Sequence, residues 1–499
     1  MANIIFLNDL SSKEGFLRTI GPYRLATELR LNGFSVQVID CLGYWIQHDI
    51  SALYKMLEKL VTDDTYFLGI STTFLNNSDI SRTQASRNAR SVDQHDSLMA
   101  ILDFVKTLNP KIKTVFGGPN VSDYNEKCDI KVLGYADTEI VKLANELRNK
   151  RYFPVKTVNG IDIRDSDVKA ASFDFTNSGT NWHESDCLTQ YEILPIEISR
   201  GCIFKCTFCS YPLNGKSKLD YWRSSESLRS ELIRNYEQYK VTRYIIGDDT
   251  FNDSPEKLEM VKSVIDSLPF KIQFICYLRL DLLIAKPHTV QLLKDIGLEY
   301  AFFGIETLND KTGKAINKGL GKSRILNGLK AIYSVWGNDV KIHISLIVGL
   351  PYESKESIND SINLIAAMPE VYSVSWQPMV IDTGTSKTFV SEIDKDPAKF
   401  GYRILPNQKN TKRAVWVNKE MNYMDAVRLW QEADAKMGEV GKANFDGFRA
   451  YAVLNILKDK EIDLRDREKV EQELPAAKLK YFNSYRDNLL LYLGMSKLG

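Results

Sequence analysis

Twice along its 499 residues this chain alternates short apolar runs with amphipathic stretches, and that rhythm constrains the fold more than any other feature. In the first 150 residues "NIIFLN", "SVQVID", "YFLGIS", "KIKTVFGG" and "DIKVLG" read as buried strands. Between them lie helical patterns: "GPYRLATELRLNG", with Leu25, Leu29 and Leu31 apolar and Gly33 as a stop, then "ISALYKMLEKL" and "DSLMAILDFVKTL". Strand followed by helix, repeated, gives a parallel sheet covered on its faces by helices. From 191 to about 385 the rhythm returns in "ILPIEIS", "RYIIGD", "KIQFICYL", "YAFFG", "KIHISLIVG" and "VYSVSWQPM". The clearest helix between them is "DSPEKLEMVKSVIDSL". Asp253 or Ser254 caps it, Pro255 suits its first turn, and Leu258, Val261, Ile265 and Leu268 form one stripe.

The expected fold class is therefore α/β. A flavodoxin-like or Rossmann-like domain over 1–150 is followed by a linker at 151–190. A partial (β/α)6 TIM-type barrel over 191–385 comes next, then a mainly helical region over 386–499. Six repeats are too few to close an eight-fold barrel, and the chemistry of such a sheet belongs at the C-terminal ends of its strands. The polar stretch 76–96, "NNSDISRTQASRNARSVDQHD", reads as a loop at the ligand edge of the first sheet or as plain solvated chain.

A formal net charge of +1 gives no sign of a general nucleic-acid binder. No apolar run approaches the roughly 20 residues of a membrane span. "MANIIFLNDLSSKEG" lacks the basic start and small-residue site of a signal peptide and reads as a strand. Seven cysteines, an odd number with one tight cluster, argue against a disulfide framework and for a reducing, cytoplasmic setting.

The cluster is Cys202, Cys206 and Cys209 in "ISRGCIFKCTFCSYP". A structural zinc site wants four closed ligands, and His183 and His288 lie far off in sequence. Dithiol redox chemistry needs only Cys206 and Cys209. An iron–sulfur cube normally takes four thiolates; three would leave one iron with an open position.

C-x3-C-x-aromatic-C after the first strand of a βα series resembles the radical S-adenosylmethionine (SAM) superfamily. The resemblance implies a [4Fe–4S] cluster on Cys202, Cys206 and Cys209. It also implies SAM on the open iron and a 5′-deoxyadenosyl radical made by one-electron cleavage. Phe208 takes the place of the family's ring near the adenine. Gly247, Asp248 and Asp249 in "YIIGDDTF" match the motif that holds the SAM ammonium. Arg279 in "CYLRLD" resembles an arginine that pairs with the SAM carboxylate or a substrate acid; an internal pair with Asp281 is the other reading. Glu306 in "FFGIET" matches a SAM-contacting glutamate, and Ile347 and Gly349 in "LIVGLPYES" match the turn beside the adenine. A one-electron donor such as flavodoxin or ferredoxin is implied too.

Residues 3–148 resemble the cobalamin-binding domain of one branch of that superfamily. Its markers include "FLGISTTF", "FGGPN" and "LGYADTEI", with Gly117, Gly118 and Pro119 as the tail-binding turn. The D-x-H-x-x-G signature is absent, as in many members of the branch. Three functions stay open: cobalamin-dependent methylation of an unreactive carbon, a cobalamin-independent epimerase, cyclase or rearrangement enzyme, and a non-enzymatic iron–sulfur or zinc module. An epimerase needs a hydrogen donor, for which Cys276 is the barrel thiol outside the cluster. The substrate, a small molecule or a peptide, is expected near Trp376, Gln377, the 382–386 loop, Lys216 and Lys218.

Overall fold

Seven strands form the first sheet: β1 (Ile4–Leu7), β2 (Val36–Ile39), β3 (Phe67–Ser71), β4 (Lys113–Gly117), β5 (Ile130–Leu133), β6 (Thr157–Val158) and β7 (Ile161–Asp165). The structure is a computed structural model describing residues 2–8, 18–73, 89–118, 121, 125–165, 173–210, 222–383, 390–406, 414–442, 453–462 and 467–495. The strand order is 2-1-3-4-5-7-6, parallel except for the β6–β7 hairpin. Its first five strands thus follow the flavodoxin order, with a topological switch between β1 and β3. Helices α1 (Ile20–Leu31), α2 (Leu42–His48), α3 (Ile50–Leu60), α4 (Ala89–Leu108) and α5 (Asp137–Arg148) connect and cover it. β1 is buried at every position because helices lie on both faces. α3 starts where the Asp49 carboxylate accepts from the Ala52 N–H, and its stripe of Leu53, Met56, Leu57 and Leu60 is buried.

Two expectations change. The sheet runs past residue 150, because β7 adds parallel to β5 with Ile130 opposite Asp162. Its "IDIRD" pattern hides a strand by carrying Arg164, whose buried guanidinium is paired with Asp162, Glu139 and Glu146 at 3.0, 3.0 and 2.7 Å. In the polar stretch 76–96, residues from Ala89 on are the first turns of α4 rather than loop; residues 76–88 lie outside the described residues.

The second sheet holds β8 (Leu194–Ile196), β9 (Arg243–Ile246), β10 (Gln273–Leu278), β11 (Leu298–Glu306), β12 (Lys341–Val348) and β13 (Ser373–Pro378), all parallel and in sequence order. The larger connecting helices are α6 (Ser225–Tyr239), α7 (Pro255–Asp266), α8 (Leu280–Ala285), α9 (His288–Asp295), α10 (Asp310–Ala315), α11 (Lys322–Trp336) and α12 (Lys355–Ala366). Ser254 caps α7 by accepting from the Lys257 N–H, with Pro255 next. Along β10 the two-residue period sorts side chains by face. Phe274, Cys276 and Leu278 join the core beneath the helices, whereas Ile275 meets Ile193, Ile245 and Tyr300 on the inner face.

The C-terminal region serves both sheets. Its elements are α13 (Glu392–Lys395), the pair β14 (Arg403–Ile404) and β15 (Trp416–Val417), α14 (Tyr423–Glu439), α15 (Leu454–Asp459) and α16 (Arg467–Tyr492). α14 packs on β13 and α12. α15 covers the N-terminal strand ends of the barrel, where Asn455 accepts from Arg243 at 2.7 Å and Lys458 faces Glu299 at 3.7 Å. α16 instead returns to the first domain, where Phe482 packs on Trp45 at 5.2 Å. A buried network fixes that return. Arg18 pairs with Glu192 at 2.6 Å and donates to Tyr23, which donates to Asp40. Tyr481 donates to Glu192, and the Tyr485 hydroxyl accepts from the Asp40 N–H.

Candidate active site

The loop after β8 carries the cysteine triple, and its entry is fixed by a carboxylate. Asp248, fully buried after β9, accepts from the Ile198 and Ser199 N–H groups at 2.8 and 2.9 Å and from the Ser199 hydroxyl at 2.7 Å. Lys257 neutralises it at 3.2 Å. This corrects the expectation that Asp248 faces a ligand ammonium: both its oxygens hold the loop. Asp249, the next residue, is half-buried, and Gly247 is exposed with its N–H on the Ile196 carbonyl.

Within the loop the Cys209 N–H donates to the Cys206 carbonyl, which closes one turn around two of the cysteines. Cys202 Sγ lies 3.3 Å from the Thr250 hydroxyl, and burial pushes its thiol up. Cys206 Sγ accepts from Arg279 Nη1 at 3.5 Å. These sulfurs therefore meet a hydroxyl and a guanidinium, which suits thiolates bound to iron. Among the described residues the three sulfurs do not converge as the ligands of a single ion do; a cube with one iron behind each thiolate asks for sulfurs held apart.

Arg279 takes the internal reading: Nε and Nη2 pair with Asp281 at 3.0 and 2.7 Å. Glu306 ends β11 in the left-handed region, φ 68°, where the register with β12 shifts, and Lys318 meets its carboxylate at 3.3 Å. A non-glycine residue in that region is strained backbone of the kind that gathers at functional sites. Phe208 is half-buried against the barrel core. Ile347 lies opposite Gln377 on the inner face. Gly349, φ 91°, gives its carbonyl to the Tyr402 hydroxyl at 2.7 Å, and Trp416 occupies the space a Cβ would need.

Cys276 does not face the barrel interior. It belongs with Phe274 and Leu278 to the layer between sheet and helices, where complete burial raises its thiol well above the ordinary value. This corrects its candidacy as a hydrogen donor, since two-residue alternation turns it away from the inner face. Trp376 likewise packs on the helix side, while its neighbour Gln377 is exposed on the inner face. Lys216, Lys218 and residues 384–386 lie outside the described residues.

Four residues near the site were not singled out by sequence reasoning. Thr250 and Arg200 follow and precede motif residues and carry no signal of their own. His343 sits on the inner face, stacked on Phe302 with ring centroids 4.5 Å apart and bonded to Ser373 and Ser375 at 2.8 and 2.9 Å. Glu353, buried, accepts from the Thr307 hydroxyl at 2.6 Å and from the Gly349 and Leu350 N–H groups at 3.2 and 3.3 Å. It thereby ties the turn after β11 to the turn after β12.

Burial pushes the Glu353 carboxyl up to about 7 against the pull of those donors. The stability this raised group contributes is present below its unfolded value and is lost as pH rises through about 7. Wild-type stability should therefore fall across that window, by at most about 1.4 kcal/mol per pH unit from this group. Urea unfolding of Glu353→Gln from about pH 5 to about pH 8 should give a flatter profile. Parallel profiles for the two proteins would remove Glu353 as the cause.

The two domains meet at Arg200, two residues before Cys202. Its guanidinium pairs with Asp137, the first residue of α5, at 2.6 Å and with Glu197 at 2.8 Å. It also lies over the rings of Tyr135 and Phe175 at 4.4 and 4.8 Å. Beside this junction is a mostly apolar-walled cavity of ≈ 200 Å³ at the C-terminal edge of the first sheet. Gly69, Gly117, Gly118 and Gly134 line it from one domain, and Glu197 and Arg200 from the other. Gly118 has φ 105°, and a Cβ there would sit 3.0 Å from Thr72 Oγ1. Pro119 lies outside the described residues. Burial and the charges of Asp249 and Glu197 raise the Tyr135 hydroxyl well above its usual range, so the acids of the barrel mouth act on this wall.

Comparison with known proteins agrees with this arrangement. Residues 196–365 match the model of the radical SAM superfamily. The hopanoid C-2 methylase of Rhodopseudomonas palustris (strain TIE-1) is 25% identical over 286 residues, which cover 52% of this chain and 51% of that protein. The chain spans about half the length of the curated relatives it matches. A structure of the radical SAM methyltransferase TsrM from Kitasatospora setae, with cobalamin and a [4Fe–4S] cluster bound, superposes with a TM-score of 0.66 at 12% identity, covering 96% of this chain and all (100%) of that one. The cobalamin-dependent SAM radical enzyme OxsB, with aqua-cobalamin bound, gives 0.61 at 13% identity, covering 97% and 72%. The chain thus carries a radical SAM domain at 196–365, set between a flavodoxin-like domain and a C-terminal region that packs on both.

Proposed function

We propose that the protein is a cobalamin-dependent radical SAM methyltransferase that acts on an unreactive carbon. The observation that carries the reading is the shared cavity, walled by glycine turns of the flavodoxin-like sheet and by the loop that leads into the cysteine triple. Glycine there lets main chain approach a ligand closely, and the apolar wall suits a planar heterocyclic tail. When bound, a [4Fe–4S] cluster and SAM supply a 5′-deoxyadenosyl radical, and a corrinoid supplies the methyl group.

The chain's own residues hold and orient. Cys202, Cys206 and Cys209 would hold the cluster. Asp249, Gly247 and Glu306 are assigned to the SAM amino-acid end, and Phe208, Ile347 and Gly349 to its adenosine end. Asp248 and Lys257 position the loop. Gly117 and Gly118 are assigned to the corrinoid tail. A one-electron protein donor such as flavodoxin or ferredoxin supplies the reductant, and the substrate enters over the inner face. The placement of Cys276 under the helices weighs against an epimerase that would use it.

Anaerobic reconstitution with SAM, with and without cobalamin, tests the reading. S-adenosylhomocysteine should form only with the corrinoid present. Gly117→Val, which adds bulk at a position where a Cβ meets only the Val132 carbonyl at 3.7 Å, should weaken corrinoid retention about tenfold and leave iron content unchanged. Equal S-adenosylhomocysteine yields without cobalamin would refute the proposal.

A further inference from the structure

We infer that Arg279 is a tuning residue of the iron–sulfur cluster: its guanidinium donates to the Cys206 sulfur and raises the cluster's reduction potential, rather than clamping the SAM carboxylate. The inference rests on the cluster assignment above. Arg279 is buried and over-determined. Its N–H donates to the Asn252 side-chain carbonyl at 2.9 Å, and its carbonyl accepts from the same side-chain amide at 2.9 Å. The guanidinium lies 3.6 Å over the ring of Phe204, a residue of the cluster loop itself.

An arginine has five N–H donors, two of which make a fork on one edge. Here the Nε–Nη2 edge grips Asp281. The second Nη2 donor points to the Lys318 carbonyl at 3.5 Å, and Nη1 donates to Cys206 Sγ at 3.5 Å. No edge is left for a bidentate grip on another carboxylate. What remains is a positive, hydrogen-bonding group held against one cluster ligand. Hydrogen bonds to the sulfurs and nearby charge are the levers by which a protein sets the potential of such a cluster. The reduced cluster carries one more negative charge, so the guanidinium stabilises it, and Asp281 offsets part of that effect.

Equilibrium redox titration of the reconstituted full chain, without SAM and followed by electron paramagnetic resonance, tests this. Arg279→Gln should be reduced at least tenfold less at a fixed poise, a downward shift of about 59 mV for one electron. Asp281→Asn should shift the potential upward, because the guanidinium loses its counter-charge. Arg279→Lys should fall between wild type and Arg279→Gln, as it keeps the charge without the fork. A purely structural role predicts no such opposition of sign. An unchanged potential in Arg279→Gln, with SAM affinity down tenfold, would overturn the inference in favour of a carboxylate clamp. If Arg279→Gln assembles no cluster, Asp281→Asn decides: an upward shift supports the inference and no shift overturns it. A wild-type chain that takes up no cluster overturns the cluster assignment itself, and the inference with it.

Discussion

Cys206→Ala is expected to cut SAM cleavage by at least about 100-fold, since even the residues behind metal ligands cost ten- to 100-fold. Cys202→Ala and Cys209→Ala should do the same. In each variant the iron and sulfide content after anaerobic reconstitution should fall to background, and 5′-deoxyadenosine should disappear from the products. The fold should survive. All three thiols are only partly buried, and the loop that carries them is anchored by Asp248 rather than by the cysteines. Thermal unfolding of the metal-free proteins should stay within about 4 °C of wild type, the shift that about 1 kcal/mol produces in a domain of this size. A Cys206→Ala protein that still cleaves SAM at the wild-type rate would remove the cluster from that loop.

The second large effect is on stability. Glu192→Ala leaves the Arg18 guanidinium buried without its carboxylate and strips the acceptor from Tyr481. Removing one partner of a buried pair costs about 3–5 kcal/mol. The urea midpoint of the first domain should drop accordingly, and Tyr481→Phe, which leaves the ion pair intact, should cost about 1 kcal/mol. The exposed pair Lys262–Asp266, with side chains 38% and 59% accessible, is the control. Asp266→Ala should change stability by less than about 1 kcal/mol. Equal midpoints for Glu192→Ala and wild type would show that the network holds nothing.

Five strands of the first sheet and all six of the second were legible because parallel strands buried on two faces are mostly apolar, and "NIIFLN" or "HISLIV" has few other uses. The cysteine spacing located the site for a similar reason: three thiols in eight positions have little structural purpose otherwise. What sequence left hidden depends on partners far away in the chain. Asp248 and Asp249 are neighbours of one residue type, and only Lys257 and the Ile198–Ser199 main chain decide which of them turns inward. β7 reads as polar because its Arg164 is neutralised by acids from α5 as well as its own strand. Arg279 could be assigned one partner from "RLD", but not the sulfur 73 positions earlier. The reading of 386–499 as mainly helical carried no sign that α16 returns to the first domain.

That placement of α16 bears on how the chain is made. Leu42, Trp45 and their neighbours emerge from the ribosome some 440 residues ahead of Phe482 and Tyr485, which cover them. At typical elongation rates the interval is roughly 20 to 90 s. Through that time the first domain has its sheet but lacks one apolar wall, in the state where nascent chains attract chaperones or one another. α16 therefore completes the first domain only after the residues of the barrel have been made.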